Sequence, residues 1–387
     1  MPLYAGLMSG TSLDGMDTAF ADITVRDADA ARPRFAIILR GSAFSPYPAA
    51  LRARVQAIRA GQPVPVGEVS ALHYELGAVY ADAVLSAAAA SGIQTTDIAA
   101  LGLHGQTVWH APPSSGVAVP NTFQLGQPAV LAERLGCPVI SDFRARDMVA
   151  GGEGAPLVPF ADYALLHSRE ETRVALNMGG IANVAFLPAG GALADTLAFD
   201  TGPGNLVLDG LAAALTGQPY DAGGALAVSG RPDAALLARL LEHPYFHMPP
   251  PKSTGAELFS PAYVADFLRQ AAHLSPADTL ATATQLTVGS ISNALHDFLP
   301  YLPDRLIAGG GGTHNRALMN GLRRALPTVT VETHDAFPTN AGLVPAGAKE
   351  SLAFALLAAA RMHGIPANVP TATGARGPRL LGAVTLP

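Results

Sequence analysis

Apolar and polar positions alternate along this chain in two rhythms. Near the N-terminus, residues 3–7 and 18–25 are strand-length apolar runs joined by Met8-Ser9-Gly10-Thr11-Ser12-Leu13-Asp14-Gly15-Met16-Asp17, which predicts a β-hairpin. A third strand is expected over 35–40. In 70–91 the period lengthens: Leu72, Leu76, Val79, Tyr80, Ala83 and Val84 fall on one helical face, and Gly92 stops the helix. The apolar run 98–103 then predicts a buried strand ending in His104-Gly105-Gln106-Thr107. Short helices are expected over 48–60 and 128–135, and strand pieces over 121–126 and 139–142.

The second half repeats the opening rhythm. A strand over 173–177, the glycine turn Met178-Gly179-Gly180-Ile181-Ala182-Asn183 and a strand over 184–187 echo the first hairpin. A short strand over 197–200 delivers Asp200 to Thr201-Gly202-Pro203-Gly204-Asn205, and Asn205 is placed to cap a helix over 206–215. Helical patterns follow from 225, over 279–299, 316–326 and 346–361, with strands over 305–308 and 328–333. Strands alternating with helices in this way predict an α/β protein with mixed sheets flanked by helices.

Length and composition narrow the class. A chain of 387 residues, 49% apolar, exceeds one ordinary core, so about two domains are expected. The charge of −6, with only 14% charged residues and no basic run, argues against nucleic acid as a partner. The single cysteine, Cys137, excludes a disulfide framework and a cysteine metal site, and its apolar setting predicts burial. The N-terminus lacks a basic leader and the apolar run 352–360 is too short to span a membrane, so a cytoplasmic protein with no membrane partner is expected.

The candidate chemistry lies at the polar breaks. In the first hairpin the hydroxyls of Ser9, Thr11 and Ser12, the backbone N–H groups and the glycines suit an anion such as phosphate; a polar tip selected for turn formation is the alternative. There is no Gly-Lys-Ser/Thr, so this is not a P-loop. Asp14 and Asp17 beside an anion call for a metal ion or a proton transfer. His104, Gln106 and Thr107 stand at the carboxyl end of a strand, where open α/β sheets bind ligands. Arg144 and Arg146, before the loop Gly151-Gly152-Glu153-Gly154, suit a carboxylate; ion pairs with Asp142 and Asp147 explain them equally. Asp200 at a strand end is a candidate general base or a turn carboxylate, and Lys252 a phosphate or carboxylate ligand or a solvated lysine. Gly309-Gly310-Gly311-Gly312 between strand and helix cost about 0.5–1 kcal/mol each relative to alanine, a cost that a flat ligand against the backbone would explain. No dinucleotide fingerprint is present.

The string 8–17, with His104-Gly105-Gln106-Thr107, 142–156, 177–183, Asp200-x-Gly-Pro-Gly-Asn205, Pro251-Lys252-Ser253-Thr254-Gly255, Gly309–Gly312 and Glu350, closely resembles the anhydro-N-acetylmuramic acid kinase family. The resemblance implies a two-lobed actin-like (ribonuclease H-like) kinase fold with a nucleotide cleft between lobes. Lobe I would be 1–141 plus 351–387, and lobe II 142–350; 362–387 would pack on lobe I. It implies ATP as phosphoryl donor, with Ser9, Gly10, Thr11, Ser12, Leu13, Asp14, Gly15, Met16, Asp17, Gly179, Gly180, Gly309, Gly310, Gly311 and Gly312 at its site. Mg²⁺ would have no direct protein ligand and would be held through phosphates and water near Asp14. Asp200 would be the base that activates water, and Asp14, His104, Gln106, Thr107, Arg144, Arg146, Gly202, Asn205, Lys252 and Glu350 would meet an anhydro amino sugar. Ala145 stands where members often carry another basic residue, which leaves the choice of arginine open. Members are often dimeric. The rivals are another actin-like sugar kinase and a non-catalytic sugar or ATP sensor.

Overall fold

The computed structural model describes residues 1–10 and 13–387; Thr11 and Ser12, both expected phosphate ligands, lie outside the described residues. The chain forms two compact units, 1–165 with 192–194 and 338–387, and 166–191 with 195–337. Residues 142–165 and 338–350, which the sequence reading assigns to the second lobe, group with the first unit. In the helix Val158–Leu166, Phe160 packs edge-on to Phe35, at 5.9 Å between ring centroids.

The first unit is built on β1 (Leu3–Ser9), β2 (Gly15–Asp27), β3 (Arg34–Pro46), β4 (Ile98–His104) and β7 (Val139–Ser141). They order as β7-β4-β1-β2-β3, with β1, β4 and β7 parallel and β2 and β3 antiparallel. The C-terminal segment adds β13 (Ala383–Thr385) antiparallel to β7, so it extends this sheet rather than merely covering it. Between β4 and β7 lie β5 (Gln106–Ala111) and β6 (Asn121–Leu125), an antiparallel ribbon of their own. The helix Val66–Ala90 buries Leu72, Leu76, Tyr80 and Val84 in this unit's core, as its spacing predicts.

A second helix, Lys349–Met362, is buried from Ser351 to Ala360 and lies directly on the sheet. A Cβ at Gly6 would stand 1.9 Å from the Ser351 carbonyl oxygen, and one at Gly102 would stand 2.0 Å from that of Phe354. Gly6 and Gly102 are register partners on β1 and β4. This pair of missing side chains lets the helix touch the strands and brings Glu350 to their carboxyl ends.

The second unit repeats the plan with β8 (Arg173–Met178), β9 (Ile181–Leu187), β10 (Leu197–Pro203), β11 (Arg305–Gly309) and β12 (Thr330–Thr333). Their order is β10-β9-β8-β11-β12, with β8, β11 and β12 parallel and β9 and β10 antiparallel. This is the order and sense of the first unit's five core strands, so the faint sequence echo is a duplicated topology. A separate core forms around Leu176, Val184, Phe199, Leu211, Leu286 and Leu306.

Candidate active site

In the first unit the hairpin, β4 and the helix Lys349–Met362 converge. Met8 pairs with Asp17 on one side and with His104 on the other. His104 is buried, and its imidazole Nε2 lies 2.8 Å from Arg144 Nη2. Guanidinium only donates, so His104 accepts through Nε2 and is neutral. Burial and then the Arg144 charge hold its pKa well below the usual histidine range. Arg144 Nη1 donates to the Gly154 carbonyl at 2.8 Å, while Nε is buried without a partner in the described structure. Desolvation lowers the Arg144 pKa to about 10, and the nearby Glu350 opposes that shift. Arg146 is exposed. The two arginines of the sequence motif are thus separated: Arg144 is aimed and held, Arg146 faces water.

Two carboxylates accompany Arg144. Burial, and then the charge of Glu350, raise the Asp17 pKa to about 6. Glu350 keeps solvent access, and desolvation raises its pKa against the opposing charges of Lys349 and Arg144. Asp14 is exposed at the hairpin tip, 3.7 Å from Arg52. Leu13 beside it adopts a φ of 59°, an unusual conformation for leucine, with its side chain in the core. Met16 is buried too, so both offer a ligand only backbone.

Ser9 and Gln106 differ from expectation. Both are buried, and Ser9 donates to Gln106 Oε1 at 2.7 Å. Ser9 has one hydrogen, so it accepts from Tyr47 at 2.6 Å, and Tyr47 in turn accepts from Tyr80 at 2.7 Å. The Ser9 hydroxyl is therefore engaged in the core rather than by an anion, and Gln106 is its buried acceptor. Thr107 is partly buried and faces Gln124, 3.4 Å away.

In the second unit the site gathers around a row of polar residues across three strands. Gly309, Asn177, Asn183 and Asp200 are successive register partners. Directly opposed antiparallel residues share a face, so Asn177, Asn183 and Asp200 lie side by side. The two asparagines were not singled out from sequence. The signal was incomplete, since a two-residue turn at Gly179-Gly180 would set 177 opposite 182; the turn spans 179–181 and sets 177 opposite 183. Asp200 lies inside β10, at a bulge between Asp200 and Gly202, rather than at its end. Its Oδ2 accepts the Thr254 N–H at 2.9 Å, its N–H donates to the Lys252 carbonyl, and its carbonyl accepts from Tyr245 at 2.8 Å. Burial raises its pKa to about 6; Thr254 and Lys252 counter this and Glu257 adds to it.

Lys252 is not solvated. Its ammonium donates to the carbonyls of Tyr245 and Phe246 and lies 4.4 Å from the Phe298 ring centroid and 4.9 Å from that of Tyr245. Desolvation lowers its pKa to about 8, against the charges of Asp297 and Asp200. It stands behind Asp200.

Gly202, at φ 152°, would drive a Cβ to 2.7 Å from Phe246, so it serves close packing. Asn205 does not cap the following helix, Asn205–Thr216. Gly204 holds the cap position, and the Asn205 side chain donates to the Met178 carbonyl at 3.1 Å. The backbone N–H groups of Gly204, Asn205 and Leu206 bond the carbonyls of Gly179 and Gly180, fastening the hairpin to the helix start. A Cβ at Gly179, Gly180, Gly309 or Gly311 would meet nothing nearer than 3.6 Å. At Gly310 it would meet Asn177 at 2.6 Å and the Met178 backbone at 2.8 Å, and at Gly312 it would meet Met178 Cβ at 2.6 Å. Gly310 and Gly312 are therefore required by packing; Gly309 is uncrowded but buried, and Gly311 leaves a bare, exposed surface.

Among the described residues no group of three His, Cys, Asp or Glu side chains could hold a metal ion, and no helix is long and apolar enough to cross a membrane. The exposed Asp14 suits an ion that arrives with phosphates and keeps its waters.

A family model for anhydro-N-acetylmuramic acid kinase matches residues 2–387. The chain is 46% identical to the anhydro-N-acetylmuramic acid kinase of Gloeobacter violaceus over 96% of each chain. It is 43% identical to that of Salinibacter ruber, over 99% of this chain and 96% of the other. Among solved structures, (R)-2-hydroxyglutaryl-CoA dehydratase component A of Acidaminococcus fermentans matches with a TM-score of 0.45 and 12% identity, over 92% of this chain and 98% of that one.

Proposed function

Given that this chain belongs to the anhydro-N-acetylmuramic acid kinase family, we propose that it opens 1,6-anhydro-N-acetylmuramic acid with water and phosphorylates O6 at the expense of ATP. Water adds at C1, the C1–O6 bond breaks, and O6 takes the γ-phosphoryl group. The products are N-acetylmuramic acid 6-phosphate, ADP and one proton. This chemistry belongs to the recycling of cell-wall peptidoglycan.

The observation that carries the reading is Asp200. Its carboxylate is held by the Thr254 N–H, its backbone is fixed on both sides, and its pKa of about 6 leaves it ionised near neutral pH but basic enough to take a proton from water. General-base help of this kind is worth about 10²–10⁴-fold. Asn177 and Asn183, in register with Asp200, supply neutral amides beside the base. Arg144 takes the lactyl carboxylate of the sugar: its Nε has no partner among the described residues, whereas Arg146 faces water. The uncrowded, solvent-reached glycines 179, 180 and 311 supply the surface for ATP. Mg²⁺ bound to the phosphates would neutralise charge during transfer, and Asp14 would hold its water shell.

The test is mass spectrometry of the product made from anhydro sugar, ATP and ¹⁸O-water, sampled at once. One ¹⁸O in the sugar phosphate, retained at C1, is expected. Sugar phosphate without label, or equal turnover of ordinary hexoses, would overturn the reading in favour of another sugar kinase.

A further inference from the structure

Asp147 is a fully buried carboxylate that the proposed reaction does not use. It lies in the short helix Ala145–Val149, three residues after Arg144. Its Oδ2 accepts the N–H of Gly154 at 2.9 Å. Its Oδ1 accepts from Asn368 Nδ2 and from Thr373 Oγ1, each at 2.8 Å. The latter two donors stand more than two hundred positions along the chain, in the C-terminal segment.

The surroundings are built for this carboxylate. A Cβ at Gly152 would stand 2.3 Å from Asp147 Oδ2, so only glycine lets the loop close over it. The C-terminal segment is tied to the same loop by Glu153 N–H to the Thr373 carbonyl at 2.8 Å and by Arg376 N–H to the Ala150 carbonyl at 2.9 Å. Asn368 is held in turn by the Arg379 N–H on its Oδ1 at 2.6 Å. The loop so fixed ends at Gly154, whose carbonyl receives Arg144 Nη1 at 2.8 Å. A continuous chain of hydrogen bonds thus runs from Asn368 and Thr373 through Asp147 and Gly154 to the guanidinium of Arg144.

We propose that Asp147, clamped by Asn368 and Thr373, is a positioning residue that sets Arg144 to receive the substrate carboxylate, so that the C-terminal segment determines recognition of an acidic sugar. The proposal rests on the reading of Arg144 given above. A guanidinium fork demands a fixed plane to meet a carboxylate with two bonds. Arg144 has two anchors, His104 and Gly154, and the second stands only as firmly as Asp147 holds its loop.

The experiment compares the full-length wild type with Asp147→Asn, Thr373→Val and Arg144→Met. Two ligands are used: 1,6-anhydro-N-acetylmuramic acid as substrate, and 1,6-anhydro-N-acetylglucosamine, which lacks the lactyl carboxylate, as competitive inhibitor. Asp147→Asn should raise KM for the acidic sugar about tenfold, and Thr373→Val roughly threefold, the scale of one or two lost buried hydrogen bonds. KM for ATP and the inhibition constant of the carboxylate-free sugar should stay within about twofold in both. If the inhibition constant rises in step with KM, or KM for the acidic sugar does not move, the proposal is overturned. Should Asp147→Asn not fold, Thr373→Val, which removes a single donor and keeps the side-chain shape, decides alone by the same criteria. Arg144→Met separates the two readings. If it too spares the acidic sugar, the assignment of Arg144 falls and this proposal with it. If it loses the acidic sugar while the Asp147 and Thr373 variants do not, only the positioning role falls.

Discussion

Nη2 of Arg144 lies 2.8 Å from Nε2 of His104, and since the arginine can only donate, the histidine is its acceptor and stays neutral. His104→Met leaves a buried N–H of Arg144 unpaired and is expected to cost about 1–3 kcal/mol. His104→Gln keeps an acceptor and should recover most of it. The sign with pH follows from a folded pKa held below the ordinary value of 6.5. The unfolded chain takes up a proton that the folded one refuses, so stability from this residue is present above the ordinary value and is lost as pH falls below it. Urea melts from pH 7 to pH 5 should show the gap between wild type and His104→Gln narrowing as the solution becomes acidic. A constant gap, or a His104→Met protein as stable as wild type, would rule this arrangement out.

Asp200 should govern the acid limb of the rate. With a pKa of about 6, kcat/KM is expected to fall below about pH 6 as the base takes a proton. Asp200→Asn should fold and bind ATP while losing about 10²–10⁴-fold in turnover. Lys252 lowers the Asp200 pKa through its charge, acting against Glu257, so Lys252→Met should move the acid limb to higher pH. A pH profile in which that limb stays put would show that the caged ammonium does not tune the base.

The glycine run separates into two kinds of position. Gly311→Val has room, with its Cβ 3.6 Å from Asn205 Nδ2, and is expected to keep its melting temperature while losing ATP affinity by calorimetry. Gly310→Val meets the Met178 backbone at a positive φ of 81° and is expected to damage the fold itself. Wild-type ATP affinity in Gly311→Val would remove this loop from the nucleotide site.

The local elements were legible because each carries its own periodicity. The helix read over 70–91 is Val66–Ala90, since its apolar face repeats at helical spacing whatever it packs against. The Gly179-Gly180 hairpin was legible from a turn between two apolar runs. Where side chains point was not. The spacing predicts Asn205 as a cap, yet Gly204 holds the cap position and the asparagine side chain donates to the Met178 carbonyl instead. Gln106 and Ser9 were read as facing ligand, yet Tyr47 and Tyr80, distant in sequence, draw their hydrogen bonds inward.

By itself, then, the amino-acid order determined many of the strands and helices, the duplicated plan and the family, because these depend on near neighbours and on an ordered string of motifs; β5, the helices Val158–Leu166 and Pro261–Gln270, and β13 are not among those strands and helices. Only the tertiary structure decided which arginine is held, which glycines are bare and what Asp147 grips. Those answers depend on groups that meet only after folding: Arg144 reaches His104 across forty positions, and Thr373 reaches Asp147 across more than two hundred. Hydrogen bonds act over about 3 Å, and no spacing along the chain encodes a distance that short between residues so far apart.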